Sequence, residues 1–397
     1  MVEFTPKAPI DLADPDLYVT GDPWQAWRWL RQHAPVYWNE ERNGPGFWAL
    51  TRYEDVLRVY RDTAAFSSAK GILLGRAQSV GDPAGGKVLP FTDPPKHGKL
   101  RALIARWFSP HGVAALEPRI RESVSGLVQT ALDREQCDFV LDIAAPLPLS
   151  VICDLMGVPR EDHEHIFSLT TSAFGAQDGV ARSSAHQEIL LYFMELIDER
   201  RRRPGNDIVS VLLSGELNGH PLTDDELLLN CDVLLVGGTE NVRHAASGGM
   251  VALLEHPAQA AHLRIDQSKM PSAVEEILRW TSPATHLLRT TRETVIFHGQ
   301  AIPAGAPVTV WNPSANRDER VFDQPESFDV TRQSNRHLTL GMGEHFCLGA
   351  GIARLELRVL FEELLSCTRA IEPAGAARRL RSRDVMGWEA LPIRCTA

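Results

Sequence analysis

The sequence predicts one mainly α-helical domain, residues 1–397, with small β-sheets at its periphery. Apolar residues recur at helical spacing over several long segments, whereas the runs that alternate like strands are short. The chain contains no internal repeat, low-complexity tract or Gly/Ser-rich linker that would divide it. With 397 residues, of which 44% are hydrophobic, it is long enough to bury a large core.

The composition limits the partners and the compartment. Lys and Arg total 41 against 51 Asp and Glu, and this net charge of -10 disfavours nucleic acid as a partner. The N-terminal stretch has no apolar run long enough for a signal peptide or a membrane span. The six cysteines are scattered without a disulfide framework, as in a reducing cytosol. We therefore expect a cytoplasmic, monomeric protein without membrane contact.

The N-terminal quarter predicts a helix, a strand pair and a loop. Pro23–His33 is amphipathic, with proline in its first turn. Val36–Trp38 and Phe47–Thr51 predict two strands joined by a turn at residues 43–46. Residues 67–90 are rich in Gly, Ala and Ser and predict a long loop, which is either a lid over a substrate pocket or a plain surface loop.

The next helix brings two donor groups together. Asp93 followed by Pro94 is a typical helix start. His97 and Arg101 lie one turn apart and therefore share a helix face. Such a face suits a pair of carboxylates, although a solvated basic face is the alternative.

The middle of the chain predicts further helices. Apolar periodicity marks residues 115–132, 147–156 and 186–201, and it breaks between residues 167 and 184. The longest helical pattern, Glu226–His256, contains Gly237-Gly238 near its middle, at a cost of about 1 kcal/mol per Gly. A flat group packed against the backbone would explain the pair, and so would a close helix–helix contact.

The stretch His337–Leu365 opens as a glycine-rich loop around Cys347 and continues as a helix. A sulfur just ahead of a helix is favoured as a thiolate, which is what thiolate-ligated haem iron requires. Considered alone, such a cysteine is more often a buried hydrophobe. His345 beside it suggests zinc, but no second Cys/His pair follows. The loop is not a dinucleotide-binding fingerprint, because Phe346 occupies the third glycine position of that motif.

The order Gly343-x-His345-x-Cys347-x-Gly349 resembles the haem-binding loop of the cytochrome P450 family. Leu340 stands where that family usually has Phe, which keeps an apolar lid over the sulfur but loses the aromatic ring. The resemblance extends over roughly residues 20–395 and is to the soluble bacterial type. It implies a cytochrome P450 fold, a haem b cofactor and Cys347 as the iron ligand.

The resemblance also implies roles for the other motifs. Propionate or other haem contacts would come from His97, Arg101, Arg289, His345, Gly238, Gly343 and Gly349. Glu276, Arg279 and Arg317 look like the family's Glu–Arg–Arg clamp, which holds the cysteine loop in place. Residues 385–388 form a turn that would close the pocket.

On the oxygen side, Glu226–His256 looks like the family's I helix. The acid of the family motif is present as Glu240, but Asn241 stands where the alcohol Thr is expected. We favour Asn241 as an organiser of waters that carry protons from Glu240. Two alternatives stay open: a substrate hydroxyl or carboxyl replaces the alcohol, or Thr239 substitutes for it.

The implied activity is that of a haem-thiolate monooxygenase, most simply a hydroxylase of a small organic molecule. We expect an antibiotic or other secondary-metabolite intermediate, such as an aromatic polyketide, free or bound to a carrier protein. Electrons would come from a ferredoxin-type donor that docks at Lys96, Lys99 and Arg106. The alternatives are ring coupling or peroxide-driven oxidation, suggested by Asn241, and a non-catalytic haem- or carrier-binding protein.

Overall fold

The computed structural model describes residue 6 and residues 8–41, 44–75, 78, 80–175 and 179–397. Its helices are α1 (Pro23–His33), α2 (Tyr53–Arg61), α3 (Lys96–Ile104), α4 (Pro110–Arg134), α5 (Pro146–Met156), α6 (His163–Gly175), α7 (Gly179–Arg202), α8 (Ile208–Ser214), α9 (Asp224–Glu255), α10 (Pro257–Ile265), α11 (Met270–Thr281), α12 (Asn312–Ala315) and α13 (Ala350–Cys367). The mainly helical class is confirmed.

The strands are short and lie in small separate sheets, as predicted. They are β1 (Val36–Asn39), β2 (Phe47–Leu50), β3 (Phe66–Ser67), β4 (Gln136–Asp138), β5 (Glu216–Leu217), β6 (His220–Pro221), β7 (Leu287–Thr291), β8 (Val295–Phe297), β9 (Gln300–Ile302), β10 (Pro307–Val310), β11 (Ala370–Pro373), β12 (Arg378–Arg379), β13 (Trp388–Ala390) and β14 (Pro392–Thr396). The largest sheet has the order β1-β2-β10-β7-β3, and β11-β14-β4 form a second. Three strand pairs, β5-β6, β8-β9 and β12-β13, complete the set in the described residues.

Helix α9 is the central element. A capping box starts it, because the Thr223 hydroxyl accepts from the Glu226 N–H and the Glu226 carboxylate accepts from the Thr223 N–H. It packs against α5, α7 and α11, and 15 of its 32 residues are buried. Gly249 permits the close approach of α11, since a Cβ there would lie 2.8 Å from a methyl of Ile277.

Several predicted elements are confirmed. Helix α1 has the predicted bounds, and β1 and β2 pair in antiparallel fashion. Helices α4, α5, α7 and α9 contain the predicted periodic segments. The predicted break over residues 167–184 is wrong for most of that range, since α6 continues to Gly175 and α7 begins at Gly179. Residues 176–178, and residue 43 of the predicted turn, lie outside the described part.

The predicted loop over residues 67–90 has fixed ends, although residues 76, 77 and 79 lie outside the described part. The Lys96 ammonium donates to the Gly86 carbonyl at 2.7 Å and to the Glu226 carboxylate at 2.8 Å. The side chain of Asn230 accepts from the Leu89 N–H and donates to the Lys87 carbonyl. The C-terminal end of the loop is therefore attached to the first turns of α9.

One stretch of the described residues, Phe139–Met156, has the length and apolar composition of a membrane-crossing helix, but 72% of it is buried inside the fold. It comprises a turn of π-helix and α5, which packs on α9. Its apolarity is that of a core helix.

Candidate active site

The cysteine loop depends on two glycines with left-handed backbone. Gly341 has φ +69° and Gly343 has φ +72°. A Cβ on Gly343 would lie 2.9 Å from the Tyr60 carbonyl of α2, so glycine is required by this contact as well as by its dihedral angle. The Cys347 N–H donates to the Leu340 carbonyl at 2.9 Å and closes the loop.

Cys347 lies where the sequence places it, just before the first turn of α13, and it is partly exposed. Burial raises the pKa of the Cys347 thiol, while the Gly349 N–H and the charges of Arg101 and Arg354 oppose that rise. A Cβ on Gly349 would meet nothing within 4 Å. The loop therefore has open space at Gly349.

Helix α9 also has an open face. Gly237 and Asn241, one turn apart, are exposed, whereas the residues between them are buried or only partly exposed. A Cβ on Gly237 would meet nothing within 4 Å. A Cβ on Gly238 would instead lie 2.9 Å from the Ile152 side chain of α5. The close helix–helix contact thus explains Gly238, and the room for a flat group lies at Gly237.

Four nitrogen side chains predicted to hold propionates come together near this loop, and we call them the cationic cluster: His97, Arg101, Arg289 and His345. The His97 and His345 ring centroids are 4.1 Å apart. Arg101 donates to the Phe346 carbonyl at 2.8 Å. Arg289 is buried and donates to the carbonyl of Leu288, so most of its guanidinium donors have no acceptor here.

The nearest carboxylate is already engaged. Asp93 accepts from the Ser67 hydroxyl, from the Ser68 N–H at 2.8 Å and from Arg292 at 2.6 Å. It does not cap α3, which begins at Lys96. Among the described residues, the cationic cluster therefore has no carboxylate that is not already engaged elsewhere.

The pKa values of the two histidines in the cluster are lowered, first by burial and then by the positive charges of their neighbours. Burial, together with the charges of Arg289 and the neighbouring histidine, lowers the pKa of His345 to about 3. Burial and the charge of Arg101 lower the pKa of His97. A ligand with two carboxylates would relieve this repulsion, so the donor set fits the two propionates of haem.

The acid of α9 is paired on its own helix. The Glu240 carboxylate lies 3.4 Å from a guanidinium nitrogen of Arg243 and 3.4 Å from Nε2 of His244. Burial alone would raise the pKa of Glu240, but the interactions with His244 and Arg243 outweigh it and lower the pKa. Glu240 is therefore a carboxylate near neutral pH.

Thr239 does not reach the open face of α9. Its side chain is buried, and its hydroxyl donates to the Leu235 carbonyl at 2.9 Å. The alternative in which Thr239 replaces the missing alcohol is therefore contradicted by its position. Asn241 and Glu240 remain as the polar groups beside Gly237.

The clamp contains Glu276 and Arg279 as predicted. Both are fully buried. Two of the three guanidinium nitrogens of Arg279 donate to the two carboxylate oxygens of Glu276, at 2.7 and 2.8 Å. The carboxylate also accepts from Arg332 Nε, from Asn335 and from the Asp329 N–H, each at 2.9–3.0 Å. Arg332, not Arg317, is therefore the second arginine of the clamp.

Arg317, the predicted member, makes different contacts. Its guanidinium lies 3.5 Å from the ring centroid of Trp24 and 4.3 Å from that of Trp280, between the two indoles. It donates to the Trp280 carbonyl at 3.2 Å and lies 3.6 Å from Glu326. The prediction for Arg317 was wrong because its partners are aromatic groups distant in sequence.

The predicted turn at residues 385–388 belongs to a hairpin formed by β12 and β13, which we call the C-terminal hairpin (residues 378–390). Val385 bridges to Ala284, and the Met386 N–H donates to the Pro283 carbonyl at 2.7 Å. The hairpin is thereby fixed to the segment that leads from α11 into β7.

Sequence reasoning missed two groups of this site. Arg332 follows Phe328-Asp329 in the segment after Arg317, and the sequence analysis assigned it no role. His244 stands one turn after Glu240, and that spacing could have indicated a pair on one helix face.

Comparisons with known proteins agree with this geometry. The family model described as "Cytochrome P450" matches residues 166–372. Cytochrome P450 NovI of Streptomyces niveus is 38% identical over 392 residues, covering 98% of this chain and 96% of that protein. Linalool 8-monooxygenase of Pseudomonas putida is 35% identical over 397 residues, covering 96% of this chain and 98% of that protein.

A solved structure matches equally well. P450 OxyD, described as involved in the biosynthesis of vancomycin-type antibiotics, superposes with a TM-score of 0.92 at 38% identity. The match covers 98% of this chain and 100% of that one. The chain therefore belongs to the cytochrome P450 family of monooxygenases.

Proposed function

We propose that this enzyme hydroxylates a small organic intermediate of secondary metabolism, such as an aromatic polyketide of an antibiotic pathway, either free or bound to a carrier protein. OxyD, which matches nearly the whole chain, supports this class of substrate through its described role in antibiotic biosynthesis. The observation that supports the catalytic part is the cysteine loop with its cationic cluster, which suits the two propionates of haem.

Different residues of the chain have separate roles in binding haem and in handling protons. Haem b, when bound, supplies dioxygen activation, with Cys347 as its thiolate ligand. The cationic cluster would hold the propionates, and Gly237 and Gly349 leave room for the ring. Asn241 presents an amide that binds water, and Glu240 is the carboxylate that takes up and passes on protons.

Candidate metabolites test the substrate class. The purified holoprotein is mixed with each compound, and the Soret band is followed as substrate displaces water from the iron. Turnover with a surrogate ferredoxin and reductase then identifies the product. An oxygenated product that requires dioxygen and electrons supports the proposal. Product formed with peroxide alone favours the peroxide-driven alternative, a coupled product without added oxygen favours ring coupling, and no product from any bound compound favours a non-catalytic binding protein.

Asn241→Ala tests the role of the amide. We expect a several-fold smaller share of donated electrons in product and a larger share in peroxide, because the waters lose their anchor. Asn241→Thr, which supplies the hydroxyl common in the family, serves as the matched control and should retain coupling. Full coupling in Asn241→Ala would show that the amide does not organise proton delivery, and would favour the substrate's own hydroxyl or carboxyl in that role.

The electron donor is proposed to be an acidic ferredoxin that docks near Lys99 and Arg106. Within the described residues neither cation pairs with a carboxylate. Lys99 donates to Asn218, and Arg106 donates to Asn206 and lies over the ring of Trp107, whereas Lys96 is already paired with Glu226. Their charges therefore remain available to a partner. Charge reversal of both should slow reduction several-fold at low salt. Arg381→Glu, on the C-terminal hairpin, is the control, and equal reduction rates in all variants would exclude this docking surface.

We further propose that the enzyme is a monomer in the cytoplasm. Size-exclusion chromatography of the holoprotein tests the first part, and cell fractionation tests the second. A stable dimer, or activity in the membrane fraction, would contradict the proposal.

A further inference from the structure

A small polar network joins α9 to the C-terminal hairpin. Glu240 pairs with Arg243 and His244, both of them buried, at 3.4 Å in each case. Of the described residues, these two are the charged or titratable groups that act on Glu240. The pairing holds the carboxylate on the helix surface that also presents Asn241.

His244 is unusually poor in hydrogen bonds for a buried imidazole. Its exposed fraction is 1%, and neither ring nitrogen has a partner within hydrogen-bond geometry. Nε of Arg243 is likewise buried and has no hydrogen-bond partner. Buried polar atoms are nearly always satisfied, so an exception calls for a functional or hydration role. Among the described residues, the contact between His244 Nε2 and the Glu240 carboxylate at 3.4 Å is thus the polar interaction that orients His244 along α9.

The other constraint on the ring comes from the hairpin. A Cβ on Gly387 would lie 2.1 Å from Nδ1 of His244, so the hairpin backbone lies directly against the imidazole. Gly387 is itself fixed, because its carbonyl accepts from the Leu380 N–H at 3.0 Å and the adjacent Met386 N–H donates to Pro283. Only glycine at this position leaves room for the histidine.

We propose that His244 is a positioning residue that orients the Glu240 carboxylate and keeps it ionised, and that the backbone at Gly387 fixes His244 in turn. The inference rests on the proposed monooxygenase function, in which Glu240 passes protons. It makes the proton-delivery acid dependent on the C-terminal hairpin. Removal of the imidazole takes away an interaction that lowers the pKa of Glu240, so that pKa should rise.

The test uses the ferric holoprotein and three variants. His244→Leu removes the imidazole, His244→Gln retains an amide donor near the position of Nε2, and Gly387→Ala pushes the ring from its place. Infrared difference spectra against Glu240→Gln isolate the carboxyl stretch of Glu240, which is then followed with pH. We expect the midpoint of the Glu240 titration to rise by about one pH unit or more in His244→Leu and to rise less in His244→Gln. It should also rise in Gly387→Ala.

His286→Leu is the matched control. His286 is also fully buried and lies beside the same hairpin, 3.7 Å from Asp384, but it has no contact with Glu240. Its removal should leave the Glu240 midpoint unchanged. An unchanged midpoint in His244→Leu or, should that variant not fold, in both Gly387→Ala and His244→Gln would overturn the inference. An equal rise in His286→Leu would overturn it as well.

A second readout separates this inference from the proposed function. The ferrous carbonyl spectrum of every variant should keep the red-shifted band of thiolate ligation, while the acid limb of the coupling–pH profile moves up with the Glu240 midpoint. A wild-type protein without that band would refute the proposed function. A normal band with an unmoved acid limb would refute only the role of His244.

Discussion

At the scale of single residues, the buried carboxylate of Glu276 shows how the cysteine loop is supported. It accepts from Arg279, Arg332, Asn335 and the Asp329 N–H, so a full negative charge is compensated without solvent. Such a network contributes little net stability but is costly to break at one partner. Its donors come from α11 and from the irregular segment that precedes the cysteine loop, and it therefore ties the two together.

Double-mutant cycles distinguish Arg332 from Arg317 as the clamp partner. We combine Glu276→Gln with Arg332→Met and, separately, with Arg317→Met. The coupling energy should be roughly 1–3 kcal/mol for Arg332, because the two side chains are in contact, and within about 0.5 kcal/mol for Arg317. Urea unfolding of the holoprotein, followed by circular dichroism, measures it. The opposite ranking would restore Arg317 to the clamp.

The neighbouring Glu275 predicts a pH dependence of stability. Burial would raise the pKa of Glu275, but the hydrogen bonds from Arg354 and His337 outweigh it and lower the pKa from 4.5 to about 2. A depressed folded-state pKa stabilises above the unfolded value, and that contribution is lost as the pH falls from 4.5 towards 2. Glu275→Gln should flatten the stability profile in that window. An unaltered profile in acid unfolding followed by circular dichroism would contradict the pairing.

The predictions at the residue scale succeeded where the family resemblance supplied the partners. His97, Arg101, Arg289 and His345 do come together as the resemblance implied, whereas local spacing alone placed only His97 and Arg101 on one helix face. Arg332 could not be assigned in this way, since its contact with Glu276 depends on the path of an irregular segment.

At the scale of elements, α9 combines tight packing with an open face. Ile152 of α5 closes one side at Gly238, while Gly237 and Asn241 leave the other side free. Adjacent glycines therefore serve different purposes. The sequence showed the pair but could not show which glycine faces which neighbour, since that depends on the rotation of the helix in the fold.

Alanine substitutions separate the two glycines. Gly238→Ala should lower stability by about 1–3 kcal/mol, because the methyl overlaps Ile152. Gly237→Ala should leave stability equal or higher, given the helix propensity of Ala, and instead weaken the substrate-induced Soret shift. Gly238→Ala in an Ile152→Ala background, where space is available, should recover part of the loss. Equal destabilisation by both alanines would contradict the assigned faces.

Other elements differ in how far the sequence predicts them. Helix α1 has a capping Asp22 and an N-terminal proline, and both of its ends were predicted. Helix α6 was missed in part because polar and small residues obscure its periodicity near Gly175. The two-residue strands β3, β5 and β6 exist only through their pairing partners, which local pattern cannot supply.

At the scale of the whole molecule, the fold positions one sulfur. The cysteine loop contacts α2 through Gly343, adjoins the clamped segment on its N-terminal side and continues into α13. The cationic cluster draws its members from α3, β7 and this loop. Parts widely separated in sequence thus meet at the cysteine loop.

The absorption spectrum of the ferrous carbonyl adduct tests the central claim most directly. Protein purified with haem is reduced under carbon monoxide, and the Soret band is recorded for wild type and for Cys347→His. We predict the strongly red-shifted band of thiolate ligation in the wild type and its loss in Cys347→His. A protein that binds no haem, or a wild-type adduct without the shifted band, would contradict Cys347 as the iron ligand.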